Sequence, residues 1–187
     1  ADAIEYTPPV IYTHFRDKSD LMRELCRNDF GALAEKTVRL RRVRDPVERI
    51  LKMGLAYIRF ALEHPNHYRL MFMTPHPDVE PEPADLAQIG DPDRDGYAML
   101  VEANEQAIEQ GRFRPEFRDP HLAAQVLWAG VHGLASLQVT HKCDPWISWR
   151  GVERLSRGVC ESMLRGMLAD PLELERNGRV GRKGGGA

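Results

Sequence analysis

The chain has 187 residues, of which 42% are hydrophobic and 29% charged, and its formal net charge is −2. That is enough apolar content for a sizeable packed core, and it excludes disorder throughout. So small a net charge excludes DNA binding through bulk charge, so any nucleic-acid contact must come from local clustering. Cys26, Cys143 and Cys160 are odd in number, far apart and outside any CxxC spacing. This favours a reducing cytoplasm over a disulfide framework or a zinc site.

The sequence begins at Ala1 with no Met and shows no basic and apolar leader, so the natural protein is expected to begin upstream, without a visible signal peptide. ADAI reads as the last turn of a helix, joined through Glu5 and Tyr6 to TPPVIYTHF. Thr7 is a good N-cap, and Pro8 and Pro9 fit a first turn, where the missing N–H groups would lack partners anyway. Ile11 and Phe15, at i and i+4, would anchor this short helix, with Tyr12, Thr13 and His14 on its other faces. Asp17 followed by Asp20 resembles a capping box and predicts a helix to about Val43, with Leu21, Leu25, Leu33 and Leu40 buried.

Asp45-Pro46 is an N-cap followed by an N1 proline, opening a helix to about Glu63 that carries Ile50, Met53, Leu55, Tyr57, Ile58 and Phe60. Pro65 ends it, and Tyr68 to Met73 reads as one further short helix. Residues 74–92 are rich in proline and acid and read as a loop. A helix from about Asp93 to Gln110 should stop at Gly111. Asp119-Pro120 repeats the start signal and opens a long apolar helix to about Lys142. Its apolar core, Leu122 to Val139, contains Gln125, His132, Ser136 and Gln138, so a buried helix is favoured over a membrane span. After a turn at Pro145, Trp146 and Trp149, a last helix covers about Arg150 to Ala169, and the basic tail that follows reads as flexible.

The pattern is all-α, and no alternating strand segment stands out. Three segments follow from it: 1–43, 44–172 and a tail over 173–187. The penultimate helix is apolar around nearly its whole circumference and therefore needs cover on two sides. Val152, Leu155, Val159, Met163 and Met167 make an apolar stripe on the last helix, while Gly158, Ser162 and Gly166 form a row of small residues. A homodimer through the helices near 121–142 and 150–169 supplies that cover and is favoured over the alternative that both helices are the core of a monomer.

Helix, tight turn and short helix is the layout of a helix-turn-helix, whose second helix enters the major groove, and on spacing alone it is equally that of a structural helical hairpin with solvent-facing Tyr and His. Tyr O–H, His N–H and the Lys18 ammonium can donate to phosphates, and Pro, Val and the Thr methyl can touch thymine methyls.

The segment ADAIEYTPPVIYTHFRDKSDLM resembles the second half of the DNA-binding domain of TetR-family transcriptional regulators. Tyr12-Thr13-His14-Phe15 and Lys18-Ser19-Asp20-Leu21 match that family's signature in order and spacing. Far away, Trp128, His132 and Gly133 in LWAGVHGLASL, with HPNHYRLMF at 64–72, resemble the WHG class of TetR C-terminal domains. The resemblance implies an N-terminal helix-turn-helix, truncated in this sequence, followed by a helical ligand-binding and dimerisation domain. It further implies that Tyr12 and Lys18 bind phosphates, that His14 sits at the groove edge, and that Thr7, Pro8, Val10 and Thr13 approach phosphates or bases. The family often has Gly in the turn, where this chain has Glu5.

The function so implied is a cytoplasmic, homodimeric, ligand-responsive repressor of a near-palindromic operator in double-stranded DNA, released by a small-molecule effector. Met53, Tyr57, Phe60, Met71, Phe72, Tyr97, Trp128 and His132 are the expected effector-pocket residues, with the helix from Asp17 as transmitter. Trp128 and His132 share a helix face; for His132 itself a buried imidazole holding a backbone carbonyl is preferred to a ligand or metal role. No catalytic residues, metal or cofactor are expected. The alternative is a helical small-molecule-binding protein or enzyme without DNA binding; His64, His67 and His76 lack an HExxH-type partner, and no GxSxG or phosphate-cradling loop appears.

Overall fold

A carboxylate one residue ahead of the first turn opens most of the long helices, because the first backbone N–H groups of a helix have no partner within it. A computed structural model describes residues 11–75 and 83–174 and places α1 over Ile11–His14, α2 over Lys18–Val38 and α3 over Pro46–Glu63. The chain continues with α4 over Pro65–Phe72, α5 over Pro83–Leu86, α6 over Gly96–Glu109, α7 over Pro120–His141 and α8 over Val152–Met167. Asp17 accepts from the Asp20 N–H at 2.9 Å, Asp45 from Glu48 at 2.7 Å, Asp95 from Tyr97 at 2.8 Å and Asp119 from His121 at 2.9 Å. These caps start α2, α3, α6 and α7.

The described residues are all-helical, with one isolated antiparallel bridge between Phe113 and Leu168. α3 and α7 form the centre: each packs on the other and on α6 and α8. Alanines make these approaches close. Ala103 and Ala107 of α6, and Ala123, Ala124 and Ala135 of α7, are completely buried. At Gly130 a Cβ would stand 2.0 Å from the Met163 sulfur, so α7 and α8 touch there through the absence of a side chain. One buried cluster joins Val47 and Ile50 to Phe113, Leu127, Leu164 and Leu168, and a second joins Ile58 to Val131, Leu134 and Cys160. α7 is long and apolar enough to cross a membrane by length and composition, but here it is the central helix of the bundle.

Several boundaries differ from the sequence expectation for local reasons. Pro65 ends α3 and also begins α4, three residues before the expected start at Tyr68, because a proline at the first helical position loses no hydrogen bond. α6 begins at Gly96 and not near Asp93, since Asp95 is the residue whose carboxylate caps the free N–H groups. It ends as expected at Gly111, whose φ of +68° permits the closing bonds from Gly111 to Ile108 and from Arg112 to Ala107. The 74–92 loop contains the short α5. After Val38 the chain tightens into a 3-10 turn over Arg39–Arg42.

One burial expectation is also corrected. Leu25 of α2 is 42% exposed, because no described element covers its face. On α8 the deepest side chains are Ser156, Cys160, Leu164 and Met167, while Val152, Leu155, Val159 and Met163 are only half-buried. The apolar stripe is wide, and the bundle covers one edge of it more fully.

Ion pairs and side-chain hydrogen bonds tie the peripheral elements to this frame. Arg112 bonds to Asp45 at 3.1 Å and to Glu173. Arg41, in the 3-10 turn after α2, bonds to Asp93 and to Glu102 of α6, the latter at 3.0 Å. His67 of α4 meets Asp29 of α2 at 2.6 Å. Arg49 is almost fully buried with its guanidinium on Gln106, and burial lowers its pKa.

Candidate functional site

A cavity of about 1040 Å³ opens between α2, α3, α4, α6, α7 and α8. This is at the upper end of the range for small-molecule sites. α3 contributes Ile50, Leu51, Met53, Gly54 and Tyr57; α4 contributes Met71 and Phe72; α7 contributes Leu127, Trp128, Val131 and His132. Spacing explains why these meet: Ile50, Met53, Gly54 and Tyr57 fall at i, i+3, i+4 and i+7 on one face of α3, and Trp128 and His132 at i and i+4 on α7. Cys160, Met163 and Leu164 of α8 close the apolar depth, and a Cβ on Gly54 would stand only 3.0 Å from the Cys160 sulfur. Burial in this apolar depth pushes the Cys160 thiol up to about 11.

The other wall belongs to α2 and the entry to α6. Met22, Arg23, Arg27, Gly31, Leu33 and Thr37 come from α2, and Gln88, Ile89, Arg94, Asp95, Gly96 and Tyr97 from the segment that leads into α6. The Asp95 carboxylate is occupied by the N–H groups of Tyr97, Ala98 and Gly90. Arg23 and Arg27 form i, i+3 pairs with Asp20 and Glu24.

Aromatic rings form a continuous panel. Tyr57 contacts Tyr68 and Phe72 edge-on at 5.7 and 5.3 Å between centroids. Phe72, Tyr97 and His132 each lie 6.3–6.4 Å from Trp128. Behind the panel is a small polar cluster. The completely buried Tyr68 has its hydroxyl 2.7 Å from His132 Nδ1, and Tyr57 has its hydroxyl 3.1 Å from the same nitrogen and 3.3 Å from the Tyr68 oxygen. Desolvation raises the pKa of both phenols, and for Tyr68 the Tyr57 contact raises it further; burial lowers that of His132. All three groups are therefore uncharged near neutral pH. At the rim, Gln125 donates to the Tyr97 hydroxyl at 3.2 Å, and that hydroxyl lies 3.2 Å from His121 Nδ1.

Of the expected pocket residues, Met53, Tyr57, Met71, Phe72, Tyr97, Trp128 and His132 line this cavity. Phe60 does not: it lies nearly a turn beyond Tyr57, buried with its ring 5.2 Å from that of His64. His132 holds tyrosine hydroxyls through Nδ1, and the backbone-carbonyl contact expected of its imidazole is replaced by this cluster. Sequence reasoning missed Tyr68, although it shares a helix face with Phe72, and it missed the α2 wall.

Of the expected DNA-contacting residues, Thr7, Pro8 and Val10 lie outside the described residues. Thr13 and His14 are exposed on α1. Tyr12 and Lys18 lie in α1 and α2, but their side chains are outside the described ones. Among the described residues, no group of three or more His, Cys, Asp and Glu is arranged to hold a metal ion.

A helical bundle around a large, mostly apolar cavity, with one wall supplied by the helix that follows α1, defines an all-α domain built around a single central cavity. Residues 50–155 match the family described as "Tetracyclin repressor-like, C-terminal domain", and the chain belongs to that family. Among solved structures it is similar to a protein of unknown function from Rhodococcus sp. RHA1, with a TM-score of 0.65 and 23% identity over 83% of this chain and 77% of that one. A candidate regulatory protein, SCO4313, is similar with a TM-score of 0.61 and 20% identity over 88% of this chain and 82% of that one. No curated protein matches the chain.

Proposed function

We propose that the protein is a homodimeric, effector-responsive transcriptional regulator of the repressor type, acting in the cytoplasm on a near-palindromic operator. The observation that carries this reading is the cavity wall formed by α2. That helix follows α1 after three residues, begins at Lys18 and bears Met22, Arg23, Arg27 and Thr37 on the cavity, so it joins the cavity wall to the segment assigned to the DNA. Thr7, Pro8, Val10, Tyr12, Thr13, His14 and Lys18 are assigned to the DNA, with half-sites about 34–36 Å apart. The Trp128, His132 and Gly133 spacing supports placing the domain in the WHG class.

The effector acts by favouring one spacing of the two reading heads, through different affinity for two conformations of α2 relative to the bundle. A full switch from 1:99 to 99:1 requires about 5.5 kcal/mol of differential binding. The hydrogen bond between His67 and Asp29 and the ion pairs from Arg41 to Asp93 and Glu102 connect α2 and its 3-10 extension to α4 and α6, and suit that role. Dimerisation is assigned to α7 and α8. On α7, Leu122, Val126 and Leu137 stay 39–46% exposed and fall on one face with Ala129 and Gly133. On α8, Gly158, Ser162 and Gly166 present an exposed row without bulk.

A mobility-shift titration of the full-length protein against DNA flanking its own gene, with salt varied, tests this reading. The expected result is specific binding with a steep negative salt slope, weakened by Tyr12→Ala and Lys18→Ala. Retained ligand binding with no DNA binding would instead identify a small-molecule-binding protein.

A further inference from the structure

The polar cluster behind the aromatic panel has a consequence for ligand chemistry. Two phenolic O–H groups converge on His132 Nδ1, at 2.7 Å from Tyr68 and 3.1 Å from Tyr57. The other acceptors the cluster offers are the Tyr68 oxygen, 3.3 Å from Tyr57, and the His132 carbonyl, a long 3.5 Å from Tyr68. The Tyr68 hydroxyl is completely buried, and Nδ1 at 2.7 Å is the one short acceptor for its hydrogen, the His132 carbonyl being 3.5 Å away, while Tyr57 can donate to the Tyr68 oxygen at 3.3 Å. Nδ1 is therefore the acceptor, and in the neutral ring the proton sits on Nε2. His132 lines the cavity, and its Nε2 has no hydrogen-bond partner among the described residues and is not one of the fully enclosed polar atoms.

The geometry points to His132 as the residue that selects the ligand: its Nε2–H donates to an uncharged acceptor, a ring-attached carbonyl, on a largely apolar aromatic ligand. This rests on the cavity being the effector site. The aromatic part follows from the panel of Tyr57, Phe72, Tyr97 and Trp128, whose rings meet edge-on or tilted and present faces and edges for another ring. The uncharged acceptor follows from the cluster itself. A neutral imidazole held by two neutral phenols offers a single hydrogen bond without a countercharge. The depth beyond it, Met53, Val131, Cys160 and Leu164, is apolar and would penalise an unpaired charge. An apolar analogue lacking the carbonyl leaves the Nε2–H desolvated and unpaired, which is how such sites discriminate.

The matched probes are 2-acetylnaphthalene and 2-ethylnaphthalene, nearly identical in shape, with binding to the full chain measured by equilibrium dialysis. The ketone should bind at least about tenfold more tightly, in line with one hydrogen bond to a buried donor. His132→Phe should abolish that preference while still binding the hydrocarbon, and His132→Gln, which keeps a donor, should restore part of it. A fold-independent readout uses the unaltered protein labelled with ¹⁵N-histidine: the His132 ring should show the Nε2–H tautomer, and only the ketone should shift it. Equal binding of both probes, or a preference surviving in His132→Phe, overturns the inference alone. An Nδ1–H tautomer does the same. Binding of neither probe overturns the reading of the cavity as an effector site, and the inference with it.

Discussion

Asp45 separates two contributions that usually come fused. Its Oδ1 accepts the Glu48 N–H at 2.7 Å and caps α3, while Oδ2 takes two guanidinium nitrogens of Arg112 at 3.1 Å. Losing a helix cap costs about 1 kcal/mol. The Asp45–Arg112 side chains are 31% and 20% exposed, so their pair is partly screened and is worth about 0.2–1 kcal/mol. Arg112 also keeps Glu173, so removing Asp45 leaves no isolated charge. Asp45→Ala should therefore cost about 1–2 kcal/mol. Asp45→Ser, which retains a capping oxygen but cannot reach Arg112, should cost only the ion-pair share, and raising the salt should erase most of it. Urea unfolding at fixed protomer concentration measures both, since dimerisation would otherwise shift the midpoint. Equal costs for Ser and Ala would refute the capping argument, and a Ser deficit indifferent to salt would refute the ion-pair argument.

His132 makes stability depend on pH with a defined sign. Burial lowers its folded pKa below the unfolded value of about 6.5, so its contribution is fully present above that pH and declines as pH falls toward the folded value. Unfolding free energies of wild type and His132→Gln should diverge less at pH 5 than at pH 8; a larger gap at pH 5 would contradict the assignment. Leu164, 1% exposed where α8 meets α3 and α7, should cost about 2–5 kcal/mol as Leu164→Ala, read from thermal or urea unfolding. Leu137→Glu places a charge on the exposed apolar row of α7 and should lower the solution mass from dimer to monomer by light scattering while leaving helical content intact. A wild-type mass that is already monomeric would refute the dimer, and a dimeric mass unchanged by the substitution would refute this face as its interface.

Much of this fold is legible because its starts are chemical and local. Asp45-Pro46 and Asp119-Pro120 carry their own reason for beginning a helix, and Gly111 carries its own reason for ending one. What periodicity leaves open is which edge of an apolar face its neighbours will cover. On α8 the whole stripe from Val152 to Met167 satisfies the helical period, yet Cys160 and Leu164 are buried and Val159 is not. Leu25 shows the same limit on α2: its spacing suits a core, but burial depends on an opposite element, which a period does not contain.

The site is legible to a different degree, because a cavity wall is assembled from residues distant in sequence. Tyr57 and Trp128 stand out as aromatic residues on apolar helices, and i, i+4 spacing places Trp128 beside His132. Nothing within α4 indicates that the Tyr68 hydroxyl will end 2.7 Å from His132 Nδ1, a contact across 64 positions. A buried tyrosine does need a partner for its hydroxyl, and a histidine on an otherwise apolar helix needs one for its ring. Those two unmet demands, one on α4 and one on α7, are what the sequence contains of the cluster. Folding α4 against α3, with α7 alongside, resolves them together and leaves the opposite imidazole nitrogen of a cavity-lining residue without a partner among the described residues.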